Sequence, residues 1–176
     1  MKFEKIHNKG QARLFENPVL EFFTKSNPLV IWGIYIPYLS FLIYHSIAHL
    51  GLVGWKAALI FAGGFIFWSF FEYLMHRFAF HFESDTPRVR RFIYLMHGNH
   101  HEYPRDRERL FMPPVPSLVI SSIILGIMYG VTWIFSITPT AFPFFAGFMI
   151  GYLSYASMHY AIHTWKPPFK WMKPLW

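Results

Sequence analysis

Four long stretches of this 176-residue chain are nearly free of formal charge, and nothing else constrains its fold as tightly. Residues 29–52, 117–137 and 142–162 contain no Lys, Arg, Asp or Glu, and residues 57–75 contain only Glu72. A hydrocarbon core about 30 Å thick takes about 20 helical residues. Only a helix satisfies every backbone group of a single segment inside lipid. Each stretch therefore reads as one transmembrane helix, the first kinked at Pro37, and Pro113, Pro114 and Pro116 end any helix before Ser117. The composition agrees: 54% hydrophobic and 14% charged, against about 45–50% and about 25% in soluble domains. The expected fold is an all-α integral membrane protein of four transmembrane helices.

Fifteen of the sixteen Lys and Arg residues fall on one side of a four-span topology, Lys56 being the exception. By the positive-inside rule that side is cytoplasmic, placing both termini there together with a polar lobe at residues 77–112. The +7 net charge is thus explained by topology and lipid headgroups, not by nucleic acid. Residues 1–28 lack the apolar core of a secretory signal and read as an N-terminal interfacial segment with a short helix. Residues 29–176 form a single membrane domain. Zero cysteines exclude disulfides, thiolate-held clusters, Cys-ligated zinc and a Cys nucleophile.

Ten histidines make the contrast, and seven of them lie in the lobe or at the cytoplasmic ends of spans. His159 and His163 are four apart, on one face of the last span. His97, His100 and His101 share one side of a helix, so that two of them can serve one metal and the third its neighbour. His76 and His81 are five apart, about 140° around an unbroken helix at roughly 100° per residue. They face one centre only if the helix bends or ends between them; otherwise they serve two metals. Imidazole suits iron, zinc, copper and nickel, and seven rings exceed the four of a single tetrahedral site. Two metals are expected. His45 and His49 also show helical spacing, but they sit at the outer end of the first span and are assigned no metal. His7 has no identifiable partner.

The run Glu72-Tyr73-Leu74-Met75-His76-Arg77-Phe78-Ala79-Phe80-His81, followed by Met96-His97-Gly98-Asn99-His100-His101, resembles the histidine boxes of the fatty acid hydroxylase and sterol desaturase superfamily. Within it the resemblance is closest to the fatty acid 2-hydroxylases. Asp106, Arg109-Leu110 and Met112-Pro113-Pro114-Val115-Pro116 match the stretch after the second box, and Tyr155, His159, Tyr160 and His163 match the third. Ala156 departs from the Asp expected in the nearest relatives. The pattern continues with a further His-x2-His-His element, so the chain reads as truncated before the last histidine box.

This resemblance implies four transmembrane helices under a cytosolic helical cap, with two iron ions held by His76, His81, His97, His100, His101, His159 and His163. Zinc is able to replace the iron in a purified sample. It also implies oxygen-dependent hydroxylation, most simply at carbon 2 of a long-chain fatty acyl group. Glu72 is a candidate acceptor for a ligand imidazole. Tyr155, Tyr160, Asp106 and Arg109, with Arg105 and Arg107, are candidates for contact with the site or the lipid head. Without a thiolate cluster or room for a haem domain, a separate electron-donor protein is expected beside the acyl substrate, molecular oxygen and membrane lipids. The alternatives are a sterol or carotenoid oxidase or desaturase on the same scaffold, or an inactive membrane protein that binds metal structurally.

Overall fold

The computed structural model describes residues 6–175. Of the N-terminal segment expected over residues 1–28, positions 1–5 lie outside the described residues, as does Trp176 of the domain expected over 29–176. The described elements are all helical: α1 (Pro18–Phe22), α2 (Pro28–Ala48), α3 (Gly54–Leu74), α4 (Pro87–Ile93), α5 (Asn99–Glu102), α6 (Pro114–Ile134) and α7 (Ala141–Thr164). Two π turns, Met75–Phe80 and Tyr94–Gly98, interrupt this series. Four segments are long and apolar enough to cross a membrane: Pro28–Ala48, Gly54–Phe80, Arg107–Ile134 and Thr138–Thr164. The four expected spans are present.

Their boundaries differ in places from expectation, most clearly at two. The first helix stops at Ala48 instead of reaching residue 52, because Gly51 adopts a positive φ of 71°. There the N–H groups of Leu50 and Leu52 turn back to the carbonyls of His45 and Ser46, which satisfies acceptors that a helix end leaves open. At α6, Pro114 and Pro116 do not precede the helix but lie in its first turn. First-turn N–H groups have no intrahelical partner, so proline costs nothing there. Pro37 lies inside α2.

The chain divides into two compact units. The first comprises residues 28–71 and 114–155. In it α7 is the most enclosed of the long helices, carrying the buried Phe145, Ala146, Phe148, Met149 and Leu153. Its backbone meets that of α3 almost directly. A Cβ at Gly64 would lie 2.0 Å from the Phe144 carbonyl oxygen, and one at Gly147 would lie 1.9 Å from that of Phe61. Small residues replace hydrophobic drive where the surrounding solvent is itself apolar. Polar contacts add to this. The Tyr35 hydroxyl bonds Ser117 Oγ at 2.8 Å and Ser121 Oγ at 3.0 Å, and Ser46 Oγ donates to the Pro139 carbonyl at 2.5 Å. Leu59, Ile66, Ile123, Ile127 and Trp133 face outward, as lipid-facing side chains do.

The second unit gathers residues 6–27, 72–113 and 156–175. Its N-terminal segment lies against the loop that follows α5. Ala12 N–H donates to Asp106 Oδ2 at 3.0 Å, and Leu14 and Phe15 N–H donate to Glu21 Oε2 at 2.9 and 2.8 Å. Arg109 bonds Asp106 Oδ2 at 2.7 Å and also Glu21 Oε1. Further along, Ser26 donates from its N–H to the Glu108 carbonyl and from Oγ to that of Phe111. α1, capped by the Asn17 side chain, turns Val19, Leu20, Phe22 and Phe23 outward.

Candidate metal centre

The first histidine pair is brought together by a change of helix type. In an α-helix residues five apart diverge by about 140°, but a turn closed by i to i+5 bonds accommodates one more residue. α3 passes into such a turn at Met75–Phe80, and His81 terminates it with non-helical dihedrals. The Nε2 atoms of His76 and His81 consequently lie 3.1 Å apart. The helix thus changes type between them and ends at His81.

The second π turn, Tyr94–Gly98, carries His97 and runs straight into α5, which carries His100 and His101. His97 and His101 approach each other at 2.8 Å between Nε2 atoms, while the His81 ring lies 4.9 Å from that of His101 and the His76 ring 4.7 Å from that of His97. His100 turns toward the end of α7, where its Nε2 lies 2.8 Å from that of His159 and its ring 4.6 Å from that of His163. Two sets result: His76, His81, His97 and His101 in one, and His100, His159 and His163 in the other. Within each set the candidate ligand atoms all lie within 4.8 Å of one another. The structure thus brings together all seven histidines that the sequence singles out, with the middle box divided between the two sets.

Burial pushes the His97 imidazole down to about 3 and His100 to about 2, with neighbouring rings adding to the effect. His81 and His101 are lowered for the same first reason. All four are therefore neutral at physiological pH. Two facing neutral rings share at most one proton, so the converging nitrogens are electron-pair donors with few acceptors, and His100 Nδ1 is buried with no hydrogen-bond partner. That donor set fits borderline transition-metal ions. Hard cations that seek oxygen ligands fit it poorly.

The other candidates are placed as follows. Glu72 Oε1 lies 3.6 Å from His76 Nδ1. Tyr160 packs edge-on to Phe111 and Trp165, and Tyr155 lies in the other unit near Trp68. Asp106 and Arg109 are shielded from solvent, their side chains 2% and 3% exposed, and tied to Glu21 and the N-terminal segment. Arg105 is exposed, and Arg107 reaches the Thr164 carbonyl at 3.4 Å. His45 and His49 lie in the other unit with their rings tilted and 5.4 Å apart, and neither belongs to either metal set. His7 does have partners: its N–H bonds the Glu102 carbonyl at 2.8 Å and its ring stacks on Tyr103. Sequence reasoning also passed over Asn99, buried and lying in sequence between His97 and His100, and Tyr94, whose hydroxyl donates to Glu102 at 2.7 Å. Position inside the second box was the available signal for Asn99.

Residues 61–176 match the family model described as fatty acid hydroxylase. The Arabidopsis thaliana dihydroceramide fatty acyl 2-hydroxylase FAH2 is 32% identical over 88% of this chain and 63% of its own length. The Saccharomyces cerevisiae ceramide very long chain fatty acid hydroxylase SCS7 is 32% identical over 93% of this chain and 42% of its own. The human fatty acid 2-hydroxylase is 30% identical over 88% and 46%. The chain therefore spans less than two thirds of the length of these relatives. Among solved structures, full-length scs7p, in which only the hydroxylase domain is visible, superposes with a TM-score of 0.82 at 29% identity, covering 95% of this chain and 61% of that one.

Proposed function

Because this chain belongs to the fatty acid hydroxylase family, we propose that it works as a membrane-bound, oxygen-dependent lipid hydroxylase acting at carbon 2 of long-chain fatty acyl groups. The observation that carries this reading is the pair of imidazole sets assembled from three separate segments. His76, His81, His97 and His101 would hold one iron, and His100, His159 and His163 would ligate the other, with zinc able to take either place in a purified sample. Bound there, iron supplies the one-electron chemistry that lets molecular oxygen attack an unactivated C–H bond. In the overall reaction one oxygen atom enters that bond and the other leaves as water, using two electrons from a separate electron-donor protein and two protons from solvent.

The chain's own residues set the conditions. Burial keeps His97 and His100 unprotonated, so their lone pairs are available across the physiological range. Glu72, beside His76 Nδ1, would accept the ring N–H and fix the tautomer that directs Nε2 inward. Asp106 and Arg109 hold the loop after the second box against the N-terminal segment instead of meeting lipid. Arg105 and Arg107, with Tyr155 and Tyr160, are left as the groups nearest in character to a lipid head. Position 2 follows from the relatives' names and from the chemistry: polar ligands at span ends suit a carbon close to the lipid's polar end. The Lys and Arg distribution supports a cytoplasmic side for the metal unit and both termini.

Mass spectrometry of lipids from cells expressing the chain together with an electron donor tests the reading. A rise in 2-hydroxyacyl lipids, lost on His97→Ala, is the expected result. Sterol or carotenoid products without 2-hydroxyacyl lipids would overturn the substrate class, and bound metal without any oxidised lipid would overturn the enzymatic reading.

A further inference from the structure

We propose that Asn99 is a positioning residue, whose side-chain amide locks the second π turn so that the middle histidine box is shared between the two metal sets. The inference rests on the metal-dependent reading above and extends it to a residue that ligates nothing. Asn99 is 5% exposed. Its main-chain N–H reaches back five residues to the Tyr94 carbonyl, one further than an α turn would take it. Its Nδ2 group donates to the same Tyr94 carbonyl at 3.0 Å and to that of Leu95, also at 3.0 Å. Leu95 O is the acceptor an α turn would have paired with the Asn99 N–H. The amide therefore replaces a bond that the π turn removes, inside a buried segment where an unsatisfied carbonyl is costly.

Location gives this bond its consequence. Asn99 sits two residues after His97 and two before His101, and two residues of an α turn place it about 160° from His101. It thus faces away from the ligands and braces the turn from behind. Relaxing the π turn to an α turn would remove one residue from the turn and rotate His97 by roughly 100° relative to His100 and His101. His97 and His101 would then no longer meet at 2.8 Å, nor would His100 keep its separate approach to His159. No other asparagine in the chain stands between metal-facing histidines.

The test uses the full chain in detergent, loaded with cobalt(II), whose visible bands report the number and symmetry of its ligands. Wild type is expected to take two equivalents. Asn99→Ala is expected to bind cobalt about tenfold or more weakly, with shifted bands, as supports of ligand orientation generally do when removed. Asn99→Asp keeps the shape but loses the donors and should behave like Asn99→Ala. Ser26→Ala, which removes a hydrogen bond to Phe111 elsewhere in the same unit, should leave affinity and bands unchanged. Wild-type affinity and bands in both Asn99 variants would overturn the proposal. Should Asn99→Ala not fold, Asn99→Ser, which keeps one donor, is read on the same bands: wild-type bands overturn the proposal and altered bands support it. A wild-type chain that binds two cobalt ions but hydroxylates no lipid defeats the functional reading alone, and one that binds none defeats both.

Discussion

His97 and His100 are three residues apart, yet they belong to different metal sets, and their substitution should separate the two. His97→Ala is expected to deplete the four-ring set and His163→Ala the three-ring set, each lowering metal content by about one equivalent in elemental analysis, with loss of thermal stability because ligands from distant segments couple binding to folding. His45→Ala should change neither. The same two rings make the metal-free chain acid-sensitive. Their folded pKa values, about 3 and about 2, lie below the ordinary 6.5, so protons bind the unfolded chain first. Stability is intact above about pH 6.5 and falls as pH drops toward the folded values, by on the order of 2 kcal/mol per ring at pH 5. Thermal melts of metal-free protein between pH 7 and pH 5 check this, and a flat profile would contradict it. At this scale the clustering of the seven histidines was legible, because four-residue spacing carries its geometry in the sequence. The bond from Arg109 to Glu21 was not: it joins residues 88 positions apart, and nothing local marks it.

Among elements, the spans could be read from charge alone, since a long stretch nearly free of formal charge has few places to go except lipid. Their ends could not, because the turn-back at Gly51 and the tolerance of Pro114 and Pro116 at a first turn depend on backbone hydrogen bonds. The π turns were equally hidden. Five-residue spacing of His76 and His81 signalled that something departs from an α-helix, without saying what. The α3 and α7 contact yields a sharp prediction. Gly147→Ala places a methyl 1.9 Å from the Phe61 carbonyl oxygen, so the helices must part, whereas Gly63 has nothing within 4 Å of the same added atom. Gly147→Ala should cost about 2 kcal/mol or more. Gly63→Ala should be neutral or slightly stabilising by helix propensity. Melting temperatures in one detergent decide it. Equal effects at the two glycines would remove close backbone packing as the explanation.

In the molecule as a whole, the metal unit is stitched from the beginning, middle and end of the described chain, an arrangement no local pattern announces. Its N-terminal part is held by Glu21, whose burial would raise its pKa but is outweighed by the N–H groups of Phe15 and Leu14 and by Arg109, which hold the carboxyl below its usual range. Glu21→Ala leaves the buried Arg109 with Asp106 alone and should cost about 3 kcal/mol. Faster tryptic cleavage after the exposed Arg13 is the expected readout, and wild-type resistance would show that the clasp holds without Glu21. The division of the histidines has a further consequence, in the order of events during biosynthesis. His76, His81, His97 and His101 have all been synthesised by residue 101, but His100 waits for companions on α7, which follows 40 residues later. The four rings of one set are thus in the chain before α6 and α7 exist, and the three-ring set is complete only after α7 has been made. On the proposed assignment, translation would thus complete the two candidate positions in a fixed order, the four-ring one first.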